Sequence, residues 1–285
     1  MGVGGARLKR QQKTIKQQFT YTGIGLHTGE EVTMTCKPLP VNQGIKFKRL
    51  DVKQQPEVEA VIDNVVSTQR CTVIGTEEWQ INTVEHLLAA LNACQIDNLL
   101  IELDAEEPPI TDGSSKVFYR LIEEAGVTEQ QAEKEIYKLR EPIYIRDGEQ
   151  YLVAAPDEEF KISYTFVSQH PGVSDQFAEF NFAADNYKTE LAPARTFGFA
   201  QELKKLKRAG LALGGSLDNA VLIEEDGPVN KLRFPNELGR HKVLDVVGDM
   251  KLVPEFKGHI MAVRSGHKLN SVLAQKIKAK ISREE

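Results

Sequence analysis

The chain has 285 residues, of which 41% are hydrophobic and 27% charged, and its net charge is -5. That length suits one large domain or two ordinary ones, and it buries a sizeable core. The acidic balance excludes a broad nucleic-acid footprint, and no apolar run reaches the roughly 20 residues of a membrane-spanning helix.

The opening stretch, MGVGGARLKRQQKTIKQQ, carries five basic residues and no acidic one. It lacks the apolar core of a secretory signal, and Ala6 stands where a myristoylation pattern requires Ser or Thr. Residues 1–13 read as a flexible, solvated basic arm. Residues 14–80 read mainly as strands and turns, because FTYTGIGLHTGEEVTMTC is rich in β-branched and aromatic residues around a Gly-rich break. A helix is predicted over Thr83–Ala93 with Asn82 as its N-cap. NLLIELD (98–104) is a short apolar strand, and PPITDGSS is a turn in which Asp112 or Ser114 starts a helix running to about Ala125. The polar, Pro-terminated TEQQAEKEIYKLREP (128–142) reads as a connector between domains.

Strands resume at IYIRDGEQYLVAAP and FKISYTFV. A helix follows over roughly Phe199–Ala209, stopped by Gly210. LALGGSLDNAVLI passes from a Gly-rich turn into a strand. The next helix spans about Leu238–Lys251, GHIMAV is a strand, and LNSVLAQKIKAKI is a last amphipathic helix. Residues 83–126 and 238–281 both give helix, strand, helix. The expected fold is therefore α+β, with two similar domains, 14–135 and 136–285, each a sheet packed with helices. Cys36, Cys71 and Cys94 form no CxxC pair and no disulfide framework, which suits small core residues in a reducing cytoplasm.

RHKVLDVVGD (240–249) places His241, Asp245 and Asp249 at four-residue spacing. Residues four apart on a helix lie about 5–6 Å apart between Cβ atoms, so His241 and Asp245 can meet one ion. Imidazole plus carboxylate suits zinc, whose catalytic sites commonly have three protein ligands. Taken alone, HxxxD is common by chance and reads as an Asp–His hydrogen bond within a core. TVEHLLAAL (83–91) offers the third ligand, His86. Its neighbour Glu85 lies about 100° around the helix. It can serve the cap and the helix dipole, or act as a general base. SGHKLN (265–270) puts His267 in a loop after a strand, where a histidine can donate a proton near neutral pH.

With GIGLHTG (23–29), DNLLIEL (97–103), PITDGSS (109–115), ARTFGF (194–199) and GLALGGSLDNA (210–220), these motifs follow one order over about residues 20–275. In this the chain resembles the UDP-3-O-acyl-N-acetylglucosamine deacetylases, the zinc amidohydrolases of lipid A biosynthesis. The resemblance implies that His86, His241 and Asp245 bind Zn2+, with Fe2+ as its competitor in the cell. It implies that Glu85 activates the metal's water, that His267 protonates the leaving amine and that Asp249 orients His267. Thr196 would hold the oxyanion. Lys242, on another helix face from His241, would meet the substrate's phosphates. A βαβ insert near 197–224 would line the acyl passage with Phe197, Leu203, Ala212 and Leu217.

The expected protein is a cytoplasmic monomer, with its site between the two domains. It acts on a UDP-acyl-sugar, without nucleic acid and without stable membrane insertion. The alternatives are a zinc amidase for another acetylated substrate and a non-catalytic metal-binding module.

Overall fold

A computed structural model describes residues 8–284. The first half contains β1 (Leu8–Ile15), β2 (Phe19–Ile24), β3 (Glu31–Pro38), β4 (Ile45–Arg49), β5 (Glu57–Glu59), β6 (Val65–Ser67), β7 (Val73–Gly75) and β8 (Gln80–Ile81). They are followed by α1 (Glu85–Ala93), β9 (Leu99–Leu103), α2 (Lys116–Ala125) and β10 (Val127–Lys138). The second half opens with β11 (Ile143–Asp147), β12 (Gln150–Ala155), β13 (Phe160–Phe166), β14 (Gln176–Asn181), α3 (Tyr187–Glu190) and β15 (Phe197–Phe199). It ends with α4 (Ala200–Arg208), β16 (Val221–Glu224), β17 (Gly227–Pro228), α5 (Glu237–Met250), β18 (Phe256–Val263) and α6 (His267–Glu284).

The α+β class expected from the sequence holds, and the likeness of the halves extends to strand order. One sheet runs β2-β3-β9-β4-β5, with β9 antiparallel to β3 and parallel to β4. In the other, β11-β12-β18 continues through β13 to β14, with β18 antiparallel to β12 and parallel to β13. Each half also carries a small three-stranded sheet in the same place, just before its buried helix. These are β6-β7-β8 before α1 and β15-β16-β17 before α5.

Two expectations fail, for one reason. Residues 8–13, taken as part of the basic arm, lie in β1, while residues 1–7 are outside the described residues. The connector over 128–142 is largely β10, a 12-residue strand antiparallel to β1 that also meets the start of β18. Neither strand shows apolar alternation, because ion pairs and side-chain amides hold them instead. Lys9 pairs with Glu133 at 2.6 Å, and Lys134 with Asp97 at 2.7 Å. Arg10 forks onto Asp97 at 2.6 and 2.9 Å and also engages Glu255.

Helices α1 and α5 pack together in the core. Residues 85–91 of α1 are all buried, as is nearly all of α5. A helix buried all round needs no polar face, so ionisable residues on it call for partners. The close approach depends on Gly248: a Cβ there would stand 2.1 Å from the Glu85 carbonyl oxygen. Gly248→Ala should therefore cost about 1–3 kcal/mol of stability through overpacking and should weaken metal retention. Denaturant melts and metal analysis check this, and an unchanged melt would reject so tight a contact.

Asp97 gives a second test. Burial raises its pKa, but Arg10 and Lys134 outweigh that and bring it down to about 2. Its contribution is then complete above about pH 4 and fades as the pH falls toward about 2. Asp97→Asn should cost about 2–3 kcal/mol at neutral pH and flatten the acid limb of the stability profile. A parallel, undiminished acid limb would contradict the assignment.

Candidate active site and metal centre

His86 is the second residue of α1, and His241 and Asp245 lie one turn apart on α5. All three are almost fully buried, and their ligand atoms lie within 4.8 Å of one another. Asp245 Oδ1 is 3.3 Å from His241 Nε2 and 3.9 Å from His86 Nε2. The His241 Nδ1–H donates to the Ala194 carbonyl at 3.1 Å. A carbonyl can only accept, so Nε2 presents its lone pair toward Asp245.

The charge state suits a cation. Burial, reinforced by His241, takes the His86 pKa down to about 3. Burial also lowers that of His241. Asp245 is held well below the usual carboxylate range: burial opposes this, but the positive charges around it prevail. Asp245 Oδ1 and His86 Nδ1 are buried without a hydrogen-bond partner. Buried polar atoms are seldom left so. Two neutral imidazoles and a carboxylate oxygen fit a divalent ion of the zinc type.

Beside this trio, Glu85 Oε2 accepts the Thr72 N–H at 3.0 Å, and Oε1 lies 3.7 Å from His267 Nε2. Burial first, then the charges of Asp245 and Asp249, raise the Glu85 pKa to about 7. His267 Nδ1 donates to Asp249 Oδ2 at 2.9 Å, an oxygen that also accepts Asn270 Nδ2–H at 2.8 Å. Thr72 Oγ1–H donates to the other Asp249 oxygen. Burial alone would lower the His267 pKa, but Asp249 and Glu85 raise it to about 10. His267 is thus a charged Nε2–H donor at neutral pH.

A cavity of about 540 Å³ joins these groups to an apolar arm. Glu85, His86, Thr196, His241, Lys242, Asp245 and His267 line it, and so do Phe197, Leu203, Ala212 and Leu217. Asp249 stands behind His267, outside the lining. Strands β15 and β16 are parallel and joined through α4, whose Leu203 and Leu206 face the cavity.

Three details differ from the sequence reading. Asn82 does not cap α1. Thr83 has φ +55°, outside helical geometry, so the helix starts at Glu85, whose carboxylate turns to Thr72 instead of the cap. His267 is not in a loop but opens α6. Lys242 is not turned away from the trio: its Nζ donates to Asp245 Oδ2 at 2.8 Å and sits 5.5 Å from the Phe197 ring centroid. Residues 242 and 245 are three apart, and that spacing brings side chains together.

Sequence reasoning missed the groups that hold the site residues in place. Arg195 and Glu237 form a buried ion pair at 2.8 Å, and Glu237 also accepts the backbone N–H groups of Arg195 and Arg233. This clamps Ala194 and Thr196 to the start of α5. The Thr196 N–H donates to the Gly113 carbonyl at 2.7 Å, and Gly113, at φ +80°, leaves no room for a Cβ against Asn219. Glu107 is fully buried and accepts the N–H groups of His27 and Thr28. Arg195 stands inside ARTFGF. A lone Thr72 or Glu107 carries no sequence signal.

The family model of the UDP-3-O-acyl N-acetylglycosamine deacetylases matches residues 12–279. A protein of Wolinella succinogenes named UDP-3-O-acyl-N-acetylglucosamine deacetylase is 43% identical over 270 residues, covering 94% of this chain and 90% of the relative. Proteins of the same name from Syntrophotalea carbinolica and Chlamydia abortus are each 42% identical, over 94% and 95% of this chain and 88% and 98% of their own lengths. With a match over nearly its whole length, the chain belongs to the UDP-3-O-acyl N-acetylglycosamine deacetylase family.

Proposed function

We propose that the chain hydrolyses the 2-acetamido group of a UDP-3-O-acyl-N-acetylglucosamine, releasing acetate and a free amine, in lipid A biosynthesis. The observation that carries this reading is the buried His86, His241 and Asp245 trio with its unpaired carboxylate oxygen, flanked by Glu85 and a charged His267. A zinc ion held by the trio would polarise the amide carbonyl and lower the pKa of water, and Fe2+ would compete for the same donors.

Glu85 takes a proton from the water that attacks the carbonyl carbon. Glu85 lines the cavity, with Oε1 3.7 Å from His267 Nε2, and its raised pKa suits a base near neutral pH. The Thr196 hydroxyl supports the oxyanion, since Thr196 lines the cavity and its backbone is pinned to Gly113. As the carbon–nitrogen bond breaks, His267 Nε2–H protonates the departing nitrogen. Asp249 acts through His267, by holding its ring and its charge. Lys242 is available to the substrate's phosphates from beside Asp245. Phe197, Leu203, Ala212 and Leu217 accept the acyl chain along the apolar arm.

We place the chain in the cytoplasm, a reducing compartment that suits its three free thiols.

Glu85→Gln should keep the metal but lose about 10²–10⁴-fold in kcat, the usual contribution of a general base. Retained turnover of a UDP-acyl-sugar would remove Glu85 from that role. Cleavage of acetylated peptides in its place would reassign the substrate. Asp249→Asn removes the largest influence raising the His267 pKa, so the alkaline limb of kcat/KM should move to lower pH. A limb that stays in place while activity falls would mean that another group titrates there.

A further inference from the structure

Helix α4 has no buried residue. Successive helical residues turn by about 100°. Leu203 and Leu206 therefore sit within about 60° of each other, facing the cavity, while Lys207, Lys204, Arg208 and Lys205 occupy one sector of about 160°. All four cations are exposed, and none has an ion-pair partner among the described residues. This is a local concentration of positive charge on a chain whose net charge is -5.

The helix leads through Gly210 into residues 211–217, which carry two large exposed apolar side chains, Leu213 (49% exposed) and Leu217 (47%). Ile24 (41%) adjoins this segment at Gly214. Its methyl lies against Gly214, and the N–H groups of Leu213 and Gly214 donate to the carbonyls of His27 and Leu26. Single exposed leucines are ordinary. Two on one short segment, with Ile24 against it and a basic helix leading into it, are the composition of a surface that rests at a lipid headgroup boundary. Lys207 and Leu217 both line the cavity, so this surface borders its apolar end.

We infer that α4 and residues 211–217, with Ile24, form a peripheral docking face for an anionic membrane surface. Cations of the α4 sector meet the lipid phosphates, and Leu213 and Ile24 enter the headgroup layer. The cavity then opens toward the lipid. The use of that opening, passing an acylated sugar to or from the membrane, rests on the proposed function. The docking itself does not.

The test uses flotation of the full chain with vesicles of phosphatidylglycerol and phosphatidylcholine, against phosphatidylcholine alone. The wild type should float with the anionic vesicles only and be released near 1 M salt, where screening acts within about 3 Å. A Lys204→Glu, Lys205→Glu, Arg208→Glu variant should lose at least about tenfold in partitioning while still deacetylating a short-acyl, water-soluble UDP-sugar. Leu213→Glu should weaken flotation with the charges intact. Equal flotation of the triple variant, or none by the wild type, overturns the proposal. Binding of polyglutamate without vesicle binding would assign the face to an acidic protein and overturn it too. Because flotation needs no substrate, a lipid-binding but inactive wild type would count against the proposed function, not against docking.

Discussion

The contact of Gly248 with the Glu85 carbonyl is the constraint on which the site depends. Helices normally pack with axes 8–10 Å apart, and a side chain on α5 at this point would push α1 outward. Because there is none, the first turn of α1 reaches the middle of α5, and His86 comes edge-on to His241 at 5.0 Å between ring centroids. Glu85 gains its position from the same contact. Its backbone touches α5, while its carboxylate is turned back to Thr72 and toward His267. A backbone–backbone approach thus places the His86 imidazole and the Glu85 carboxylate together beside α5, which no single side-chain contact would achieve.

The three histidines of the site are chemically identical residues driven to different charge states. Burial pushes all of them toward neutrality. The Nδ1 of His241 meets a carbonyl, which fixes the tautomer without adding charge, so burial prevails. The Nδ1 of His267 meets Asp249, a carboxylate, and burial loses. The partner of the far ring nitrogen therefore decides whether an imidazole is a lone-pair donor or a proton donor. Asn270 and Thr72 matter for this reason: their hydrogen bonds to the two Asp249 oxygens hold that carboxylate against His267 Nδ1.

How much of this was legible in the sequence depended on whether the signal was periodic. Helices α1, α4 and α5 were readable because apolar residues recur at helical spacing, and the site residues were readable because they interrupt that apolar pattern. The pair β1 and β10 was not, since Arg10, Lys134 and Asp97 stabilise it across long sequence separations. The start of α1 was misread because Asn82 looks like a cap, whereas the left-handed Thr83 is fixed by a tertiary hydrogen bond to Glu107. The Arg195–Glu237 clamp was invisible for the same reason: its partners are 42 residues apart.

The matched topologies explain why the cavity has one wall of fully packed helices and one of lightly packed inserts. Each half inserts a small sheet at the same point, immediately before its buried helix. Both inserts therefore border the seam where α1 meets α5. The first delivers Arg70, Cys71 and Thr72 to its edge, and the second delivers Thr196, Phe197 and the α4 leucines. The helices themselves have no freedom to vary, because nearly every position on them is packed. Helix α4, with no buried residue, is held only by its edge contacts. The His86, His241 and Asp245 trio, with Glu85, thus belongs to the two packed helices. The apolar residues of the cavity's other wall, and those that face outward beyond it, sit on an insertion whose helix buries no residue.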